Sequence, residues 1–352
     1  MERMPVEIQT LYAELLERLS YLEARRSIGS LSGSFVTKVV NGVIYYYFQY
    51  SVPGGGKQQI YIGRKEKVLD KIVERYREAR KSFEEEVSGI ERLCALLRAG
   101  GAMTMDSPSA RVLKALADGG VFRLNGVLIG THAFLVLGNL LGVRWTGASM
   151  RTQDIDIATE TTISIAIPGL RADVPSILEA LEMGFLPVPK LNPRHPSTSF
   201  MVRGKGLRVD LLTPLRGSQG KGPLWIPRLN AAAQPLRFLD FLITQPVRGV
   251  VIDGDGILVN VPEPARFALH KLIVAGERGV AMHTRREKDL RQAGQVFLAL
   301  IEEHPEDLRI AWEETKKRGK GWTRRIREAA SALRKMDPLV GERVSTFLSS
   351  LR

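Results

Sequence analysis

Two aspartates one residue apart, in the run Asp154-Ile155-Asp156-Ile157-Ala158, restrict what the surrounding chain can become. In a strand successive side chains take opposite faces, so both carboxylates share one face while Ile155 and Ile157 turn into a core. Two carboxylates side by side repel unless a proton or a cation lies between them, and a divalent metal is the usual remedy. Upstream, residues 121–129 read as a buried strand-like run, Gly130-Thr131 as a turn and 131–141 as a helix. Downstream, 174–184 has helical spacing with Pro175 in its first turn. Residues 199–203 and 207–212 then flank Gly204-Lys205-Gly206 as a hairpin. Its second arm carries Asp210 among Leu207, Val209, Leu211 and Leu212, where an unpartnered carboxylate would be costly to bury.

The flanking regions have different patterns. Leu11, Leu15, Leu19 and Leu22 fall at helical spacing and predict an amphipathic helix. From Phe35 the chain alternates through 35–40, turns at Asn41-Gly42, continues through 43–52, turns again at 53–56 and resumes at 58–63, which predicts a three-stranded antiparallel meander. A charged helix follows over about 66–98, and Ser107-Pro108-Ser109 marks another helix start. The meander carries Tyr45, Tyr46, Tyr47, Tyr50 and Tyr61, with Lys38, Lys57, Arg64, Lys65 and Lys67 nearby. Such a face can stack bases and track phosphates. Alternatively, every second tyrosine packs on the helix while the lysines keep an edge soluble. The meander with its helix loosely resembles the basic hairpin-plus-helix pieces at the front of recombinases and transposases.

Beyond the hairpin, 249–252 and 257–261 flank Asp253-Gly254-Asp255-Gly256, a tight turn rather than a calcium loop because no liganding glutamate follows at the required spacing. After Pro262 and Pro264 the pattern is helical, with a basic stretch at 316–327 and a closing helix at 344–351. The expected division is 1–120, 121–262 and 263–352.

Composition sets bounds on function. The apolar fraction of 44% and charged fraction of 25% are those of a globular protein. No apolar run approaches the roughly 18 residues that span a bilayer. The opening MERMPVEIQT has no apolar targeting run, and Cys94 is the only cysteine, so a cytoplasmic protein without intramolecular disulfides or cysteine-based zinc is expected. Cys94 itself reads as a small buried residue. The net charge of +13 favours anionic partners such as nucleic acid or nucleoside triphosphates.

Strand, Gly-Thr turn, helix, Asp-x-Asp strand, helix and a strand with one more aspartate form an order that resembles the DNA polymerase β-like nucleotidyltransferase superfamily. More narrowly, the order is similar to that of stand-alone bacterial proteins related to AbiEii-type toxins. The matching residues are Gly130-Thr131, Asp154, Asp156 and Asp210. Members usually carry serine after the glycine, and Thr131 keeps the hydroxyl. The resemblance implies an α+β fold with a mixed-sheet core, an N-terminal meander plus helix and a C-terminal helical region. It implies two Mg2+ ions, with Mn2+ as the alternative, held by Asp154, Asp156 and Asp210, and a triphosphate against Gly130 and Thr131. Lys271 and Lys288-Asp289 resemble the family's downstream lysine elements, which contact the triphosphate. Lys271 can instead snorkel to solvent, and Asp289 can pair with Arg285 or Arg286 across one helical turn. Arg151 is a further candidate phosphate ligand, whereas His132 and His270 read as packed structural histidines.

The expected activity is transfer of a nucleoside monophosphate from an NTP to a hydroxyl acceptor, with RNA such as tRNA as the leading acceptor and pyrophosphate released. The alternatives are protein nucleotidylation of the toxin or defence type, with or without an antitoxin partner, and a degenerate nucleic-acid-binding protein on the same fold.

Overall fold

The computed structural model describes residues 1–25, 33–52, 56–147, 152–161, 171–217, 222–278 and 283–351. After β1 (Glu2–Arg3), the leucine spacing produces α1 (Val6–Ala24), in which Tyr12 and Leu15 are buried. The alternating stretch forms β2 (Ser34–Val40), β3 (Val43–Val52) and β4 (Gly56–Arg64), an antiparallel sheet in that order. Asn41 and Gly42 take φ of 49° and 74°, the left-handed pair that a two-residue hairpin needs. The 33-residue α2 (Lys67–Ala99) follows. Next comes α3 (Ser107–Asp118), capped by Asp106, whose carboxylate accepts the Ser109 N–H, with Pro108 in the first turn.

The central region contains β5 (Val127–Ile129), α4 (Gly130–Leu140), β6 (Val143–Arg144), β7 (Asp154–Ala158), α5 (Val174–Glu179), β8 (Phe185–Pro187), β9 (Ser199–Val202) and β10 (Arg208–Pro214). It closes with β11 (Leu224–Ile226), β12 (Ala231–Leu236), α6 (Leu239–Ile243) and the hairpin β13 (Val247–Val251) and β14 (Ile257–Val261). Seven of these strands make one mixed sheet. Its path is β11-β12-β10-β7-β5, with β9 beside the first half of β10 and β8 beyond it. Strands β7, β10 and β12 run parallel and the remaining pairs are antiparallel, so the α+β mixed-sheet architecture expected from the sequence is present. Among the described residues the C-terminal part consists of α7 (Pro264–Glu277), α8 (His283–Glu303), α9 (Pro305–Lys317), α10 (Lys320–Met336) and α11 (Pro338–Ser350).

The principal core joins α3, α4, the sheet and the C-terminal helices, with Phe134, Phe267 and Phe297 fully buried. Trp145 stacks on Phe134 at 4.6 Å, and Phe267 lies 6.1 Å from the same ring. A second cluster packs α1 and the end of α2 on the β13–β14 hairpin through Leu15, Ile90, Cys94, Leu97, Val250 and Ile252. There the Tyr12 hydroxyl accepts the Val250 N–H at 2.8 Å and donates to the Val250 carbonyl at 3.2 Å. Cys94 is a free, fully buried thiol, and burial pushes its pKa up to about 11.

Three local expectations change. Residues 121–125 are turns rather than strand, because their backbone groups bond locally: Val121 N–H to Leu116, Leu124 N–H to Gly120 and Gly126 N–H to the Val121 carbonyl. Val121, Phe122 and Leu124 stay buried regardless. The helix expected over 174–184 stops at Glu179, and the chain turns through Glu182 and Gly184 at positive φ into β8. Strands β11 and β12 were not anticipated. β12 reads Ala-Ala-Ala-Gln-Pro-Leu, without a β-branched or aromatic residue to mark it.

Candidate active site

The parallel register of β7 and β10 sets Asp154 opposite Arg208 and Asp156 opposite Asp210. Paired residues project from the same side of a sheet, so the three aspartates and Arg208 share one face. On the opposite face Ile155, Ile157, Val209 and Leu211 are fully buried. On the other side of β7, Ile129 of β5 pairs with Asp156, and the chain then turns directly into α4 at Gly130. Gly130 has φ +69°, and a Cβ there would stand 2.4 Å from Asp156 Oδ2. Glycine is therefore needed twice, for the backbone conformation and for the close approach of the carboxylate. The same turn brings the start of α4, with its unpaired N–H groups and partial positive charge, next to Asp156.

Burial, and after it the neighbouring Asp210 and Asp154, push the Asp156 carboxyl up to about 7, while Lys271 and Arg208 pull in the other direction. The direction of the shift follows from burial first and from the neighbouring carboxylates second, against two nearby cations. Asp210 is engaged: Arg208 Nε donates to its Oδ1 at 2.8 Å, the Ser199 hydroxyl donates to the same oxygen, and Arg208 Nη2 reaches the Ser199 oxygen at 2.9 Å. The donor set, three carboxylates on one face, suits a hard divalent cation. In the present side-chain arrangement, however, no three ligating groups among the described residues gather closely enough to hold a metal ion.

Lys271 is mostly buried and pairs with Asp289 Oδ1 at 2.8 Å, and Arg278 pairs with the other oxygen. The expected pairing of Asp289 with Arg285 or Arg286 is thus replaced by a cross-helix triad, and Arg286 donates instead to the Ala275 carbonyl. The packing of α7 on α8 aims Asp289 across the interface rather than along its own helix. Burial pushes the Lys288 ammonium down, helped by Lys271, while Asp289, Asp154 and Asp156 draw it back up. Lys288 and Asp154 also line one open cleft of about 880 Å3, together with Met103, Met105, Asp106 and His132.

The other candidates divide. Thr131 is buried, with its hydroxyl 3.4 Å from Gln292 Nε2. Arg151 lies outside the described residues. His132 is buried, with Nδ1 3.1 Å from the Asp154 carbonyl oxygen, and burial lowers its pKa. His270 is lowered further, to about 3, by burial and by Lys271. Sequence reasoning passed over Arg208 and Ser199. The signal for Arg208 was available, since a residue two before Asp210 on a strand shares its face.

A mixed sheet with three carboxylates on one face, beside a glycine turn and a helix start, is suited to cations and phosphates. The chain matches the model of a nucleotidyltransferase family over residues 107–317, more than half its length, and belongs to that family. Nucleotidyl transfer is accordingly its general class of activity. The matched span runs from α3 to the end of α9 and contains all three aspartates. No curated protein and no solved structure matches the chain. Among the described residues, no helix is long and apolar enough to cross a membrane.

Proposed function

We propose that the chain moves a nucleoside monophosphate from an NTP to a hydroxyl of RNA and releases pyrophosphate. The observation that carries this reading is the in-register pair Asp156–Asp210, with Asp156 close against Gly130 at a helix start suited to phosphates. Asp154, Asp156 and Asp210 would hold Mg2+ or Mn2+, and a cation so bound supplies charge neutralisation and eases deprotonation of the attacking hydroxyl. The residues of the chain supply the remaining functions. The backbone at Gly130 and the start of α4 bind the triphosphate, and Lys271 and Lys288 add positive charge. Asp210 accepts the proton of the acceptor hydroxyl, whose oxygen bonds to the α-phosphorus as the bond to the bridging oxygen breaks and pyrophosphate leaves. For this Asp210 must be released by Arg208, whose guanidinium is suited to turn to the anionic triphosphate.

The net charge of +13 favours RNA over a protein acceptor, since a polyanion gains most from a basic chain. Kinship with AbiEii-type toxins is the narrower family reading. A second reading is favoured by the Arg208–Asp210 pair itself: a site kept closed, on a scaffold that only binds nucleic acid. Labelled NTPs incubated with Mg2+ and cell RNA or cell protein separate these readings. Label on RNA that is lost in Asp154→Ala, Asp156→Ala and Asp210→Ala supports transfer to RNA. Label on protein redirects it, and equal behaviour of wild type and variants leaves the closed-site reading.

A further inference from the structure

We infer that the outward face of the N-terminal meander docks an unpaired stretch of RNA. The two faces of this sheet have different partners. Toward α2, Phe35, Phe48 and Tyr76 form an edge-to-face cluster with centroids 5.2 to 5.7 Å apart, and the Tyr46 hydroxyl donates to Asp70 at 2.6 Å. These aromatics hold the sheet on the helix. The registers Lys38↔Tyr45, Val36↔Tyr47 and Tyr47↔Tyr61 place Lys38, Tyr45, Tyr47 and Tyr61 together on the opposite face. Tyr61 touches both Tyr45 and Tyr47, at 5.9 and 5.6 Å, and Lys38 Nζ lies 4.7 Å over the Tyr47 ring. Tyr61 is 56% exposed. Tyr45 and Tyr47 are half-buried, so the rings of this cluster stand partly in water while they pack on one another and on Lys38, outside the buried core.

Charge selects the partner. From residue 24 through 65 the sequence contains no aspartate or glutamate, while Arg25, Arg26, Lys38, Lys57, Arg64 and Lys65 all lie in that span. An acid-free basic sheet with solvent-facing rings is suited to a polyanion whose flat groups are free to stack, that is, single-stranded nucleic acid. A duplex hides its bases, so it would use the lysines and leave the rings idle. RNA fits this face better than DNA because loops, bulges and ends with splayed bases are ordinary in RNA, whereas DNA is ordinarily paired. The face would act as the acceptor-docking surface of the proposed transfer reaction, and it rests on that reading only for preferring RNA.

The test is fluorescence anisotropy with the full chain, in EDTA and without NTP. The probes are an unstructured RNA of roughly 16 nucleotides, the DNA of the same sequence and the matching RNA duplex. The single-stranded RNA should bind tightest. Tyr61→Ala should weaken it by about tenfold or more, through loss of one stacking platform, and Tyr61→Phe should stay within about twofold. Lys38→Glu should weaken binding and lower the salt slope by about one. Unchanged hydrogen exchange in β2 to β4 of Tyr61→Ala checks that the meander stays folded. Equal binding by wild type and Tyr61→Ala, or a duplex bound as tightly as the single strand, overturns the docking surface, and DNA bound as tightly as RNA overturns the choice of RNA. A transfer reaction that fails leaves this outcome untouched, because the assay contains neither metal nor NTP.

Discussion

The aspartate sheet and the N-terminal meander both alternate side chains across two faces, but they use the alternation in opposite ways. In the aspartate sheet one face is sealed: Ile155, Ile157, Val209 and Leu211 are fully buried, and the other face concentrates carboxylates that repel each other. In the meander Tyr46 is the one buried residue among the described side chains of its three strands, and its span carries no acid. A sheet backed by a complete core can hold an unfavourable charge cluster in place because its backbone is over-determined by packing. A sheet resting on one helix through a single aromatic layer has little to oppose strain, and it suits a surface that meets a partner. The chemistry and the recognition would thus lie on regions of different rigidity.

The largest expected effect tests the sealed side. Phe134→Ala empties a site stacked between Trp145 and Phe267 and should cost about 3 to 5 kcal/mol in a urea titration of the whole chain. Phe35→Ala, in the aromatic layer over α2, should leave the main transition nearly unmoved and speed hydrogen exchange in β2 to β4 only. If Phe35→Ala shifts the main transition as far as Phe134→Ala does, the two regions are one cooperative unit and the contrast fails.

The next effect is electrostatic and has opposite signs at two half-buried groups. Asp156 keeps its proton to about pH 7 in the folded chain, against an ordinary value of 3.8, so the folded state binds more protons between those limits. Its contribution is neutral below about 4 and becomes destabilising as pH rises to 7. His270 runs the other way: its folded value is about 3 against 6.5, so the unfolded chain takes up the proton first and stability falls as pH drops from 6.5 toward 3. In EDTA, Asp156→Asn should flatten the loss toward neutral pH and raise the melting temperature at pH 7, although it should abolish transfer. His270→Leu should flatten the loss toward acid. A melting temperature at pH 7 that Asp156→Asn lowers would mean that the charged Asp156 carboxylate is not disfavoured in the folded chain.

How much of this was legible follows from the range of each signal. The Asp-x-Asp strand, the Asp210 hairpin and the meander were legible because period-two alternation and Asn-Gly or Gly-Lys-Gly turns are written within a few residues. Strand β12 was not, since its place beside β10 depends on tertiary pairing and alanines carry no strand mark. Residues 121–125 are apolar enough for a strand but satisfy their backbone in local turns. The Lys271–Asp289–Arg278 triad could not be read locally, because it joins α8 to α7 and to the residue just past the end of α7 through the way the two helices pack. The wall of the cleft formed by Met103, Met105 and Asp106 is likewise brought to Asp154 from a distant part of the chain.

A matched pair of glycine substitutions gives the smallest and most discriminating effects. Gly130 and Gly42 have nearly the same backbone angle, φ of 69° and 74°, so alanine at either carries a similar penalty of about 1 kcal/mol for the left-handed conformation. Their surroundings differ: at Gly130 the new methyl meets Asp156 Oδ2 at 2.4 Å, and at Gly42 nothing lies within 4 Å. Gly130→Ala should therefore cost more than the backbone term and abolish transfer by displacing the carboxylate. Gly42→Ala should show the backbone term alone, confined to the meander: faster hydrogen exchange at the amides of Tyr45 and Tyr46, with Ile155 and Val209 unchanged. Transfer to an acceptor too short to reach the tyrosine face should stay at the wild-type rate. If Gly42→Ala speeds exchange at Ile155 and Val209 as well, the strain passes into the aspartate sheet, and the meander is a structural part of the site rather than a surface joined to it.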